Sequence, residues 1–91
     1  MTLEEARIEI DKADREITRL LTARLDAVRE VALYKLANHL PVHAPEREAA
    51  VLDKVSALTT EEYAPYIRMI YQGMFEASKA MEQKLIDEAE K

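Results

Sequence analysis

The stretch 24-RLDAVREVALYKLANHLPVHAPERE-48 decides how the chain folds. Its first half carries Leu25, Val28, Val31 and Ala32 at three- and four-residue spacing, which predicts a helix with one apolar face. A strand would alternate instead. Arg24 and Lys35 stand within that face. Eleven residues apart, they differ by only about 20° around a helix, so both lie on its inward side or at the edge of it. Taken singly, each is an ordinary long cation that packs its stem and lifts its head to water. Pro41 and Pro45 then end the pattern, because the residues before them, Leu40 and Ala44, are pushed out of the helical region.

Working outward, the same stripe extends back through Leu21, Leu20, Ile17, Ala13, Ile10, Ala6 and Leu3. It predicts a helix from Leu3 to about Asn38, roughly 50 Å long at about 1.5 Å per residue. Downstream, Pro45 suits the first position of a second helix, with Glu46 and Glu48 in its first turn, where acids are favoured. Val51, Leu52 and Val55 give this helix a short apolar face that ends near Ala57. Thr59 or Thr60 can cap a third helix, and Thr59 with Glu62 has capping-box spacing. Pro65 leaves two arrangements open: a short turn at 59–63 before the main helix, or an early start with a bend. Ile67, Ile70, Met74, Ala77, Met81 and Leu85 continue as a stripe, and the DEAEK tail is expected to fray. With one Gly and three Pro in 91 residues, breakers are few, and the expected fold is all-α: one domain over 1–91, three helices, long–short–long.

A helix this long cannot bury its stripe against one short helix and a third one shorter than itself. A second copy running alongside would cover it, so a homodimer is the physical expectation. The chain has no Cys, which excludes disulfides and Cys-based metal sites. His39 and His43 flank a proline break and read as solvated turn residues, not as a metal pair. A net charge of −5 argues against nucleic acid as a partner, though it does not forbid a small anion in a locally cationic pocket. No apolar run approaches the roughly 20 residues that span a bilayer. A cytoplasmic protein is the expectation, and Met1 with an end at Lys91 suggests a free-standing form.

Three further polar residues need placing. Arg7 precedes Arg24 by seventeen positions, a rotation of about 260° and a rise of roughly 25 Å. One straight helix cannot aim both at one small ligand, so Arg7 would have to reach such a site from another subunit. On the third helix Ser78 and Glu82, four apart, share a face. Alone, Ser78 reads as a small spacer and Glu82 as a solvated acid beside Lys79.

Together, Arg7, Arg24, Lys35, Arg47, Glu48 and Ser78 on a long–short–long frame resemble the small all-helical chorismate mutases, the AroQ class. The carrying motifs are K-x(5)-P-V-x(4)-R-E, Lys35 through Glu48, and D-x-x-D-x-x-I-x-x-L-L-x-x-R, Asp11 through Arg24. The resemblance covers essentially the whole chain. It implies an intertwined homodimer with two equivalent pockets, each completed by Arg7 of the other subunit. The implied reaction is the Claisen rearrangement of chorismate to prephenate, which needs no metal, nucleophile or cofactor.

That resemblance also assigns roles. Arg7, Arg24 and Arg47 would clamp the two substrate carboxylates, as planar guanidinium forks suit them, with Ser78 assisting. Lys35 would meet the ether oxygen, where negative charge develops, and Glu48 would accept from the ring hydroxyl and hold Lys35 or Arg47. Two positions depart from the family pattern. Glu82 stands where many members carry Gln as a second donor to the ether oxygen, and an ionised Glu is only an acceptor. It would help catalysis when protonated, so activity should rise towards acid pH; Gln83, about 100° round the helix, is no substitute. Ala44 replaces an Asp found near the substrate hydroxyl, which should weaken binding. Isochorismate-pyruvate lyase chemistry on the same frame is the nearest rival, and a non-catalytic dimerisation bundle is the rival of a different class.

Overall fold

The computed structural model describes residues 1–91 as three helices: α1 (Leu3–Ala37), α2 (Pro45–Ala57) and α3 (Ala64–Ala89). At the start of α1, the Thr2 hydroxyl accepts the Glu5 backbone N–H at 3.1 Å, with Glu4 and Glu5 in the first turn. At its end, Asn38 holds the Tyr34 carbonyl twice, its backbone N–H donating at 3.0 Å and its side-chain amide at 2.8 Å. His39 then takes a left-handed φ of 54°, which turns the chain into the linker. The prolines announced the break but not which residue would make that turn.

Pro45 occupies the first turn of α2, and Glu48 N–H bonds the Ala44 carbonyl at 3.0 Å. Before α3 the chain makes a short turn, and Pro65 falls in the first turn of the helix proper. Thr60, not Thr59, anchors this turn: its carbonyl accepts from Ala64 N–H at 2.9 Å and its hydroxyl from Tyr63 N–H at 3.3 Å. The capping box expected of Thr59 and Glu62 does not form, because α3 starts beyond both. The tail differs from expectation too. Helix α3 continues to Ala89, supported by Gln83 donating to Asp87 one turn on, at 2.8 Å.

Helices α1 and α2 each pack against α3 and not against one another, which leaves a cleft between them. Arg68 ties α3 to α2 through the Ser56 hydroxyl at 3.0 Å. The core is thin: only Ala32, Val55 and Phe75 are buried apolar residues, joined by Ser78 and Glu82. The radius of gyration is 16.2 Å, where a compact chain of this length would give about 12 Å. The exposed surface is 7218 Å², against roughly 5,400 Å² for a compact monomer of the same mass. Much of the excess lies on the first half of α1, where Leu3, Ile10, Ile17 and Leu20 are all exposed. No helix is long and apolar enough to cross a membrane.

Candidate active site

Ser78 and Glu82 are the two polar residues among the five buried ones. Buried polar groups need partners, and a buried carboxylate needs a cation. Both partners come from α1. The Arg24 guanidinium donates from Nη1 to Ser78 Oγ at 3.0 Å. It also lies 5.9 Å from the ring centroids of both Tyr71 and Phe75, which meet edge to face 6.2 Å apart. Cation–π attraction and the hydroxyl therefore fix the fork while most of its donors remain unspent. Lys35 Nζ donates to the Val42 carbonyl at 2.9 Å and stands 3.1 Å from Glu82 Oε1. The second contact is an ion pair by distance but lacks the alignment of a hydrogen bond, so Glu82 Oε1 has no hydrogen-bond partner. Glu82 is thus a buried acid held by charge alone, not the solvated partner of Lys79.

These pairs form one wall of a cavity of about 260 Å³ in the cleft between α1 and α2. Arg47 and Glu48 enter from the first turn of α2, with Val28, Val31 and Phe75 supplying apolar lining. Four cations (Arg24, Lys35, Arg47 and Lys79) face two carboxylates (Glu48 and Glu82), leaving a local charge of +2 in a chain whose net charge is −5. The cavity is accordingly cationic within an acidic chain. Its size is just below the roughly 300–1,000 Å³ usual for small-molecule pockets.

Of the residues singled out by sequence, Arg24, Lys35, Arg47, Glu48, Ser78 and Glu82 line this one cavity. Arg7 does not: it is exposed on the first half of α1, far along the helix from Arg24. Glu48 does not hold Lys35 or Arg47. Its Oε2 pairs instead with Lys79 Nζ at 3.2 Å and lies 3.7 Å from His43 Nδ1. Lys79 also pairs with Glu76 at 3.0 Å and reaches His43 Nδ1 at 3.3 Å. The Glu76 hydrogen bond, partly opposed by desolvation and reinforced by Glu48, raises the Lys79 ammonium above its ordinary value of 10.5. His43 is therefore part of a charged cluster and not merely a solvated turn residue. Ala44 lines the cavity with no polar group to offer, and Gln83 spends its amide on Asp87.

Sequence reasoning missed Lys79, the Val42 carbonyl and the aromatic brace on Arg24. The Glu76–Lys79 spacing was readable on one helix. The meeting of Lys79 with Glu48, thirty-one residues earlier, exists only in the folded chain.

Two motifs and five lining residues (Arg24, Lys35, Arg47, Glu48 and Ser78) agree with the pattern described above, and the comparison with known families decides the matter. A family model described as chorismate mutase type II matches residues 6–83. The chain belongs to that family. At 34% identity over 88 residues it is similar to the bifunctional chorismate mutase/prephenate dehydratase of Aquifex aeolicus, across 91% of this chain and 24% of that protein. A chorismate mutase from Methanocaldococcus jannaschii is 30% identical over 91 residues, covering 97% of this chain and 91% of the relative. The T-protein of Haemophilus influenzae is 46% identical over 50 residues, 55% of this chain and 13% of that protein. The chain thus spans a quarter or less of the longer relatives and nearly all of the archaeal one. No solved structure matches at the same stringency. Glu82 and Ala44, the two positions that the resemblance set apart, both line the cavity.

Proposed function

We propose that this chain is a chorismate mutase, acting as a homodimer on chorismate to give prephenate. The observation that carries the reading is the half-buried Lys35 ammonium, fixed by Val42 and Glu82 and flanked in the same cavity by Arg24 and Arg47. A local charge of +2 suits a dianion, and planar guanidinium forks suit its carboxylates. Holding both carboxylates folds the enolpyruvyl arm over the ring, which selects the reactive conformer before any bond changes.

In the rearrangement one carbon–oxygen bond breaks as one carbon–carbon bond forms, within a single molecule. Negative charge develops on the ether oxygen. Lys35 has three N–H donors and makes one hydrogen bond and one ion pair, so at least one donor is free for that oxygen. A cation held in place beforehand stabilises the transition state more than the ground state. Glu82 opposes this when ionised, both by repelling the oxyanion and by drawing on Lys35. Protonated, it would instead donate a hydrogen bond. Glu48 Oε1 has no protein partner and is free to accept the ring hydroxyl.

Homodimerisation is the second element of the proposal. The excess surface amounts to about 1,800 Å² per chain, so pairing would bury about twice that in total, within the obligate range of roughly 2,000–5,000 Å². It would cover the bare half of α1, add a wall to the open cavity and bring the partner's Arg7 to the carboxylates.

Product-resolved turnover tests the proposal, with chorismate and isochorismate supplied separately and Arg24→Ala as control. Prephenate from chorismate, lost in the variant, is the expected result. Pyruvate and salicylate formed mainly from isochorismate would make the chain a lyase. A folded protein inert towards both would leave a dimerisation bundle.

A further inference from the structure

Two lysines face the cavity, and they are spent differently. Lys35 meets one carbonyl and one carboxylate, whereas Lys79 is shared among three partners: Glu48 and Glu76 as ion pairs at 3.2 Å and 3.0 Å, and His43 Nδ1 at 3.3 Å. An anion reaching Lys79 must compete with these two carboxylates. Its three partners come from three places, namely α2, α3 and the linker, so the ammonium is the point at which the mouth of the cavity is tied together. His43 directly follows Val42, whose carbonyl holds Lys35. The linker is therefore pinned on one side of the cavity by Lys35 and on the other by Lys79.

We propose that Lys79 is a positioning residue of this site, which fixes the Glu48 carboxylate for the substrate hydroxyl and compensates its charge. The inference rests on the mutase reading above. Glu48 is bound through Oε2 alone, which leaves Oε1 pointed by its partner's grip and not by the ligand. Arg47, in the first turn of α2, lines the same cavity and makes no side-chain hydrogen bond or ion pair of its own. Without Lys79 the cavity keeps three cations against two carboxylates, and the acid nearest its mouth becomes an uncompensated charge facing a dianion.

The test is a double-mutant cycle read in KM and kcat. Lys79→Met keeps the stem and removes the charge. It should raise KM for chorismate about tenfold and change kcat by less than about threefold, since the lost interaction acts on binding. Lys79→Arg should recover most of the loss. In a Glu48→Gln background, where no carboxylate needs holding, Lys79→Met should cost less than about twofold. Circular dichroism on every variant separates these effects from unfolding. An unchanged KM in folded Lys79→Met, or the same penalty in both backgrounds, overturns the inference and leaves the mutase reading standing. A wild-type protein that does not turn over chorismate overturns both.

Discussion

The two halves of α1 share one hydrophobic period and meet opposite fates. From Arg24 onward the helix packs on α3, Ala32 is buried, and its two inward cations reach Ser78 and Glu82. From Leu3 to Leu20 the same stripe lies open, with Ile10 57% and Ile17 51% exposed. Periodicity states which side of a helix resists water; it does not state which chain covers it. In this molecule the second half is covered from within. The first half is left uncovered, and it carries the one arginine of the expected set that the cavity lacks.

The sharpest way to break the comparison is at the packed half. Arg24→Ala should lower kcat/KM at least about a hundredfold, the scale of losing a preorganised charged donor, while the far-ultraviolet helix signal is retained. A loss that merely tracks unfolding would show Arg24 to be a structural strut. The open half is tested by charge. Ile10→Glu with Ile17→Glu would change stability by no more than about 0.5 kcal/mol each if that face met only water. Against a partner helix, each buried charge costs several kcal/mol, and sedimentation should report monomers. An unaltered dimer with both substitutions in place would refute the proposed interface.

Smaller effects sharpen the picture inside the cavity. Glu82→Gln replaces an acceptor beside the ether oxygen with a donor. It should raise kcat at neutral pH, because a fixed N–H donor then faces the developing oxyanion. A variant slower than the native protein would show that Glu82 serves the site through its hold on Lys35. The least effect concerns Lys79. Its ammonium is raised above 10.5 chiefly by Glu76, so whatever stability its pairing adds is complete below that pH and disappears as pH climbs through the raised value. Melting curves of native protein and Lys79→Met should therefore differ at pH 8 and converge at strongly alkaline pH.

Much of this was legible in the sequence because it is local or periodic. The three helices, the Pro45 start, the inward placement of Arg24 and Lys35 and the shared face of Ser78 and Glu82 all follow from spacing along one helix. Three features were not legible, for a common reason. The partner of Glu48, the carbonyl that holds Lys35 and the left-handed His39 depend on where the linker crosses the bundle, and no period encodes that path. The helical tail shows the opposite limit: a polar stretch stays helical through its backbone bonds, with Glu90 N–H on the Ile86 carbonyl and a Gln83–Asp87 side-chain bond beside them.

The central claim is that each site is built from two chains, with Arg24 from one and Arg7 from the other. The most direct measurement mixes Arg7→Ala protein with Arg24→Ala protein under conditions of subunit exchange. Each variant alone should be nearly inactive. In a random mixture half of the dimers are hybrid, and each hybrid holds one intact site of two, so activity should return to about a quarter of the native level. No recovery, with hybrid dimers demonstrated by mass spectrometry, would mean that Arg7 and Arg24 do not meet across subunits.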